Sequence, residues 1–466
     1  MGLLALFGAA APRVAALQAA PSVTGAPVTL VSTGAGVVPP LLPEPTTVWS
    51  SLVSTTVAPG ARWLSFPVAA DSGAVLVPWC AGRVAVLLDG HDVHAAKGPV
   101  VLDVAANGHP HVLTIAFDIS DYERRITCGE PPRVGARATT QDGLLPLDFA
   151  SPHAALGGGH AVVYVPPGHD RHRRGPLLVG LHPWNGSPWT YSAYEPLLAA
   201  ARAADVLLLF PSGLGNSLYT ADAEDEVLRA IDALLAVVAV DPDRITLWGA
   251  SMGGGGATTI GFHHPDRFAA IISLFGDSKY DLSTYVRGIL GDGASAHRVN
   301  ALDIVDNARN VPVWLVHGQD DRVSPIAQSA MLARALEAKH FEVRFDRVPN
   351  AGHEGRVVTD FADRIVSRAA TARRVYLPSR VSYWSVVRRH DRAYGIRLKR
   401  AHTHTTGDAF FDLARVGESV HLVHAEGVTS LRLPRGAFGI APTATPAVVA
   451  DEPSGASVRV EWDPVE

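Results

Sequence analysis

The chain has 466 residues, 47% of them apolar, which is enough for roughly three domains with cores of their own. Its 40 Lys and Arg against 45 Asp and Glu leave a net charge of −5, which argues against a nucleic-acid protein, whose surface carries a basic face. Cys80 and Cys128 are the only cysteines, which excludes a cysteine-rich zinc module and a disulfide-dense scaffold.

Residues 1–20 open with an apolar run to Pro12, followed by Arg13 and the small-residue stretch Val14-Ala15-Ala16. This pattern predicts a cleaved export signal and a secreted or periplasmic protein; a positively charged start is missing, and an Ala-rich unstructured start is the alternative. An oxidising compartment lets Cys80 and Cys128 pair; two separately buried thiols is the other reading. No run reaches the ~18 consecutive apolar residues of a membrane-spanning helix. Residues 21–48, rich in Pro, Thr, Val and Gly without a period, read as a linker.

From residue 49 to 150 the pattern is one of short strands. Ala81–Leu88 ends at Asp89-Gly90, and Val100–Val104 and Val112–Phe117 flank Asn107-Gly108. This rhythm predicts an N-terminal β-sandwich. Over 151–372 apolar strands alternate with helices. The predicted strands are Ala161–Val165, Leu177–Leu181, Val206–Phe210, Ile245–Trp248, Ala270–Phe275, Val311–Val316 and Val343–Val348. Helices are predicted over Asp222–Val238, Ala327–Lys339 and Val357–Ala370. The alternation predicts a doubly wound, mostly parallel α/β sheet. Residues 373–466 return to strands, as in Tyr394-Ile396-Leu398, and predict a C-terminal β-sandwich, with the tail after Arg435 an edge strand or a loose end.

The chemistry is concentrated in the middle segment. Gly249-Ala250-Ser251-Met252-Gly253 lies between the strand ending at Trp248 and a helix-like stretch to His263. A serine nucleophile placed there sits on a sharp strand-to-helix turn with its hydroxyl exposed. A side chain two places to either side would collide with the neighbouring strand or helix, so glycine stands there. The serine needs a base, and the base an orienting acid. His317-Gly318-Gln319-Asp320-Asp321 follows one predicted strand and Asn350-Ala351-Gly352-His353-Glu354 another. Each therefore leaves the carboxyl end of a strand, where ligands meet an open α/β sheet.

On these residues, Gly249–Gly254, His317–Pro325 and Asn350–Glu354, the segment from about 160 to 370 resembles serine hydrolases of the α/β-hydrolase fold. It is most similar to their prolyl-oligopeptidase-like and feruloyl-esterase-like branches. The resemblance implies Ser251 as nucleophile, Asp321 as acid and His353 as base. Asp321 is chosen over Asp320 by family spacing, four residues after the histidine of the His-Gly turn. An oxyanion hole needs two backbone N–H donors, the first from Met252, the residue after the nucleophile. The second comes by position from Trp184, in a His182-Pro183-Trp184 loop that resembles the family's His-Gly-x loop. Pro183 replaces the glycine and has no N–H to give. The strands at 49–150 loosely resemble the jelly-roll accessory domains found beside secreted hydrolases.

Trp184, Trp189 and Tyr191 form either an aromatic substrate wall or packing for this loop. The other histidines read blandly. His402 and His404 alternate on a predicted strand without a partner at ligand spacing, so no metal is expected there. His263-His264 read as a polar helix end, and His169 to Arg174 as a solvated hairpin. No cofactor is expected. The predicted function is hydrolysis of carboxylic esters, polymeric ones included, through an acyl-enzyme. A prolyl-oligopeptidase-like peptidase is the first alternative and a non-catalytic binding protein of the same fold the second. A seven-bladed propeller needs roughly 300 residues; about 150 precede the catalytic segment and no repeat is visible in them, which favours the esterase. The sequence says nothing of oligomeric state.

Overall fold

The computed structural model describes residues 29–32, 60–68, 74–77, 83–89, 91–92, 100–103, 111–119, 133–134, 144–153, 158–170, 172–186, 188, 190–283, 286, 299–401, 408–452 and 457–464. The proposed signal segment, Cys80, Cys128, Trp189, His402 and His404 lie outside them.

The centre of the molecule is an eight-stranded mixed sheet. Its strands are β1 (Leu144–Ala150), β2 (Gly158–Tyr164), β3 (Gly175–Leu181), β4 (Leu207–Pro211), β5 (Val240–Ala250), β6 (Ala270–Leu274), β7 (Val313–Gly318) and β8 (Val343–Val348). The spatial order is β1-β2-β4-β3-β5-β6-β7-β8. β1 and β2 pair antiparallel, and β2 runs antiparallel to β4. All pairs from β4 to β8 are parallel. The fold is therefore an α/β-hydrolase sheet with an antiparallel edge. The boundary expected at residue 150 moves upstream, because Leu144–Ala150 pairs with β2. Its Leu144 is buried in one core of the sheet, and Leu147 and Phe149 pack against the other.

Two apolar faces follow from the period-two alternation of strand side chains. On one, Leu177, Val179, Leu181, Ile245, Leu247 and Leu315 join Val227, Ile260 and Leu332 of the helices α2 (Asp222–Val237), α3 (Met252–His263) and α4 (Ala327–Ala338). On the other, Leu178, Leu208, Trp248 and Ile272 join Leu197 and Phe361 of α1 (Glu195–Ala204) and α5 (Arg356–Thr371). The sheet is thus wound on both sides. Its β3→β4 and β4→β5 connections run to opposite sides of β3, which puts a switch point beside the carboxyl ends of β3 and β5.

Upstream of β1, the described strands form a five-stranded and a three-stranded sheet. Thr29–Ser32, inside the segment read as a linker, pairs antiparallel with Gly60–Val68. Downstream of α5, two four-stranded sheets enclose one core that includes Tyr383, Leu398, Phe411 and Leu422. Val448–Ala450 and Arg459–Trp462 of the tail are parallel edge strands of these two sheets. The hairpin around His169 is not wholly solvated: the His169 side chain is buried and its Nδ1 lies 2.6 Å from Asp205, the left-handed residue that ends α1.

Candidate active site

β5 ends in the nucleophile turn. Ser251 has φ 57° and ψ −121°, a left-handed backbone that costs a non-glycine residue about 1–3 kcal/mol and holds only where its surroundings enforce it. The surroundings are close-packed backbone. A Cβ on Gly249 would lie 2.3 Å from the Gly253 carbonyl oxygen, and one on Gly253 would lie 1.9 Å from that of Leu181. Ser251 donates its N–H to the Leu274 carbonyl and accepts that of Gly255. The glycines at both ends of the motif are therefore required by the close contact of α3 with the ends of β3 and β5.

Two further strand ends bring up His353 and Asp321, the residues expected as base and acid. The Ser251 hydroxyl donates to His353 Nε2 at 2.7 Å, and His353 Nδ1 donates to Asp321 Oδ2 at 2.8 Å. Phe275 meets the His353 ring edge-on, with centroids 4.7 Å apart. Asp321 is buried, and its Oδ1 accepts the N–H groups of Val323 and Ser324 at 2.9 and 3.0 Å. His317 Nε2 lies 3.4 Å from Oδ2. Burial by itself pushes this carboxyl up, but the hydrogen bonds of His317 and His353, the charge on His353 and the Val323 N–H outweigh it. Asp321 is held well below the ordinary carboxylate range. The neighbouring Asp320 is exposed, and its backbone N–H is bonded to the Ala351 carbonyl.

The loop after β3 faces this turn. Met252 is the first residue of α3, so its N–H is one of the four that no carbonyl of the helix can accept. Trp184 is half-buried and packs against the core, so packing accounts for at least part of its ring. Its loop is clamped to the one after β4. Asn185 N–H donates to Asn216 Oδ1 at 2.6 Å, Asn216 Nδ2 donates to Asn185 Oδ1 at 2.9 Å, and Tyr219 OH donates to the His182 carbonyl at 3.2 Å. Tyr191 is core and not a substrate wall: it is buried, stacks 4.4 Å from Trp248, and bonds the backbone at Leu181 and Ala250.

Sequence reasoning passed over Asp277. It leaves the carboxyl end of β6, the same kind of position as Asp321 and His353, and that placement was the available signal. It is buried and accepts the Ser324 hydroxyl at 2.5 Å. Burial raises its pKa against the opposing pull of Ser324, His317 and His353. The reading of His263 as a polar helix end is corrected too. Its side chain is buried, with Nδ1 3.2 Å from the buried Glu224 carboxylate, because the C-terminal sheets cover this end of α3.

The model of the prolyl oligopeptidase family matches residues 215–370, a segment that contains Ser251, Asp321 and His353. The chain is 25% identical over 219 residues to the acylamino-acid-releasing enzyme of Arabidopsis thaliana, covering 40% of this chain and 28% of that one. It is 33% identical over 112 residues to NocK of Nocardia uniformis subsp. tsuyamanensis, a protein named as an esterase, covering 22% of this chain and 33% of the other. The chain thus spans about a third or less of the length of these relatives. Among solved structures, an S-formylglutathione hydrolase from Agrobacterium tumefaciens aligns with 50% of this chain and 97% of its own, at 16% identity and a TM-score of 0.44. Together with the strand–serine–helix turn, the match over residues 215–370 supports a serine hydrolase of the α/β-hydrolase fold, of the prolyl-oligopeptidase-like type, in the central unit.

Proposed function

We propose that the chain hydrolyses carboxylic esters through an acyl-enzyme on Ser251. The observation that carries the reading is the unbroken chain from Ser251 Oγ through His353 to the buried Asp321. His353 takes the serine proton as Oγ attacks the acyl carbon, then delivers it to the departing alcohol. In the second half it draws a proton from water as that water attacks the acyl-enzyme, then returns it to Ser251 Oγ as the acid departs. Asp321 keeps Nδ1–H in place and balances the imidazolium. The N–H groups of Met252 and Trp184 are assigned to the oxyanion; each such donor contributes about 3 kcal/mol to transition-state stabilisation.

Ester preference has separate support. An amide requires protonation of a poor leaving group in a site that aligns the base with nitrogen. The described strands upstream of β1 make two small antiparallel sheets and not a ring of blades. Leu282 and Val323, on the loops after β6 and β7, are exposed apolar residues at the carboxyl end of the sheet that carries the triad. They suit an acyl or aryl group, including one on a polymer. The sheets before β1 and after α5 are read as flanking β-sandwiches that restrict or bind substrate without supplying catalytic groups. The test is kcat/KM for a matched aryl ester and anilide. Ester turnover well above anilide turnover is expected; equal rates would assign the peptidase reading, and no turnover of either, with Ser251 unlabelled by a fluorophosphonate, the binding-protein reading.

A further inference from the structure

The far end of α3 carries a second cluster of ligand-type side chains. Twelve helical residues separate it from the nucleophile turn, about 18 Å at 1.5 Å per residue. We propose that Glu224, His263 and His390 bind a divalent transition-metal ion of the zinc class, with His264 as the fourth ligand. The inference is independent of the reading given to Ser251.

Three separate parts of the chain meet here: the first turn of α2, the end of α3, and the loop between Arg380–Ser385 and Arg392–Ala393. Glu224, His263 and His390 are all buried, and their ligand atoms lie within 4.8 Å of one another. One carboxylate oxygen, Glu224 Oε1, has three imidazole nitrogens around it: His264 Nε2 at 2.7 Å, His390 Nε2 at 3.0 Å and His263 Nδ1 at 3.2 Å. His390 Nε2 also accepts the Arg389 Nε–H at 3.2 Å, so a lone pair and not a proton faces that oxygen, two acceptors 3.0 Å apart. A cation at the centre turns this contact into coordination, since neutral imidazole and carboxylate are the ligand types zinc takes. His390 also keeps its Nδ1 buried without a hydrogen-bond partner.

Access and charge are also accounted for. A cavity of about 210 Å³ lined by Glu224, Asp225, Leu228, His264, Arg389 and His390 gives the ion a path from solvent. Arg389 is the competitor. Its Nη2 donates to Glu224 Oε2 at 3.1 Å and its Nε to His390 Nε2 at 3.2 Å. Its side chain is 39% exposed, so it can swing to solvent and release the His390 nitrogen. Without an ion, this guanidinium pairs with the Glu224 carboxylate.

The test uses the full chain, stripped with a chelator, dialysed, and titrated with Co²⁺ and then Zn²⁺. One saturable equivalent is expected, with the intense visible absorption of tetrahedral Co²⁺ bleached as Zn²⁺ displaces it. His390→Gln should weaken binding by at least ~10-fold, and Arg389→Gln should tighten it. Absence of saturable binding in the folded wild type would overturn the proposal, as would unchanged affinity in both His390→Gln and His263→Gln. If those two variants do not fold, Arg389→Gln decides: binding no tighter than wild type counts against a metal.

Discussion

The hydroxyl of Tyr191 bridges the two strand ends that frame Ser251. It donates to the Leu181 carbonyl at the end of β3 at 2.9 Å and accepts the Ala250 N–H at the end of β5 at 3.1 Å. A buried side chain thus sets the distance between the serine turn and the loop assigned to the oxyanion. Tyr191→Phe keeps the ring and strands both backbone groups. A loss of about 1–3 kcal/mol of stability is expected, with kcat reduced about 10- to 100-fold by misplacement of the reacting groups. Urea unfolding and steady-state kinetics on an aryl ester measure the two.

Ser251→Ala should abolish fluorophosphonate labelling and leave the fold in place. Intact mass after probe treatment reads the outcome, and persistent labelling at another serine would displace Ser251 as nucleophile.

Asp321→Asn should lower kcat by about 10⁴-fold, because the imidazole loses the anion that fixes its tautomer. Asp320→Asn, on an exposed side chain, should fall within a few-fold of wild type. Parallel kinetics on the two variants decide between them.

The same carboxyl predicts a pH dependence of stability. Its folded pKa lies below the ordinary value because the bonds from His317, His353 and Val323 outweigh burial. Its ionised form therefore stabilises the fold in full above the unfolded value of about 4, and that contribution is lost as pH falls toward the folded value. Asp321→Asn should be less stable than wild type at pH 7, and the gap should narrow at pH 3. A gap of constant size in thermal melts at the two values would rule this out.

Gly253→Ala sets a methyl against the Leu181 carbonyl oxygen, which is backbone and cannot turn aside. Gly261→Ala, in the same helix, meets only the side chain of Ile271. The first should destabilise by about 3 kcal/mol or more and the second by about 1 kcal/mol or less, since alanine favours helix. Chemical denaturation of both variants measures the contrast.

How much of this is legible in the sequence depends on where the determining contacts lie. Strand β8 runs over the predicted residues Val343–Val348, and helix α2 falls one residue short of its predicted end. Both carry their signals locally, in an apolar run and an acidic first turn. Helix α1 was not foreseen, because Glu195-Pro196-Leu197-Leu198-Ala199-Ala200-Ala201 offers little polar contrast and its burial comes from packing on α5. β5 extends back to Val240 through polar residues that only pairing with β3 makes a strand. At the site, the order Ser251, Asp321, His353 reads directly from motifs. Asp277 has no motif, and the Glu224 cluster joins side chains more than 160 residues apart, so only folding brings them together.

The junction after α5 has a practical consequence. Arg374 bonds the Asp243 carboxylate, Tyr383 OH reaches the His263 carbonyl, and Trp384 exchanges hydrogen bonds with the Asn307 side chain. The connection at 372–379 is therefore a seam and not a hinge. Cutting there to isolate the hydrolase would leave open carbonyls and an unshielded Glu224, so a truncated protein would report on the wound as much as on the catalyst. Circular permutation within an exposed turn of the C-terminal sheets, such as the one at Gly417, keeps the seam closed and is the cleaner way to ask what those sheets do.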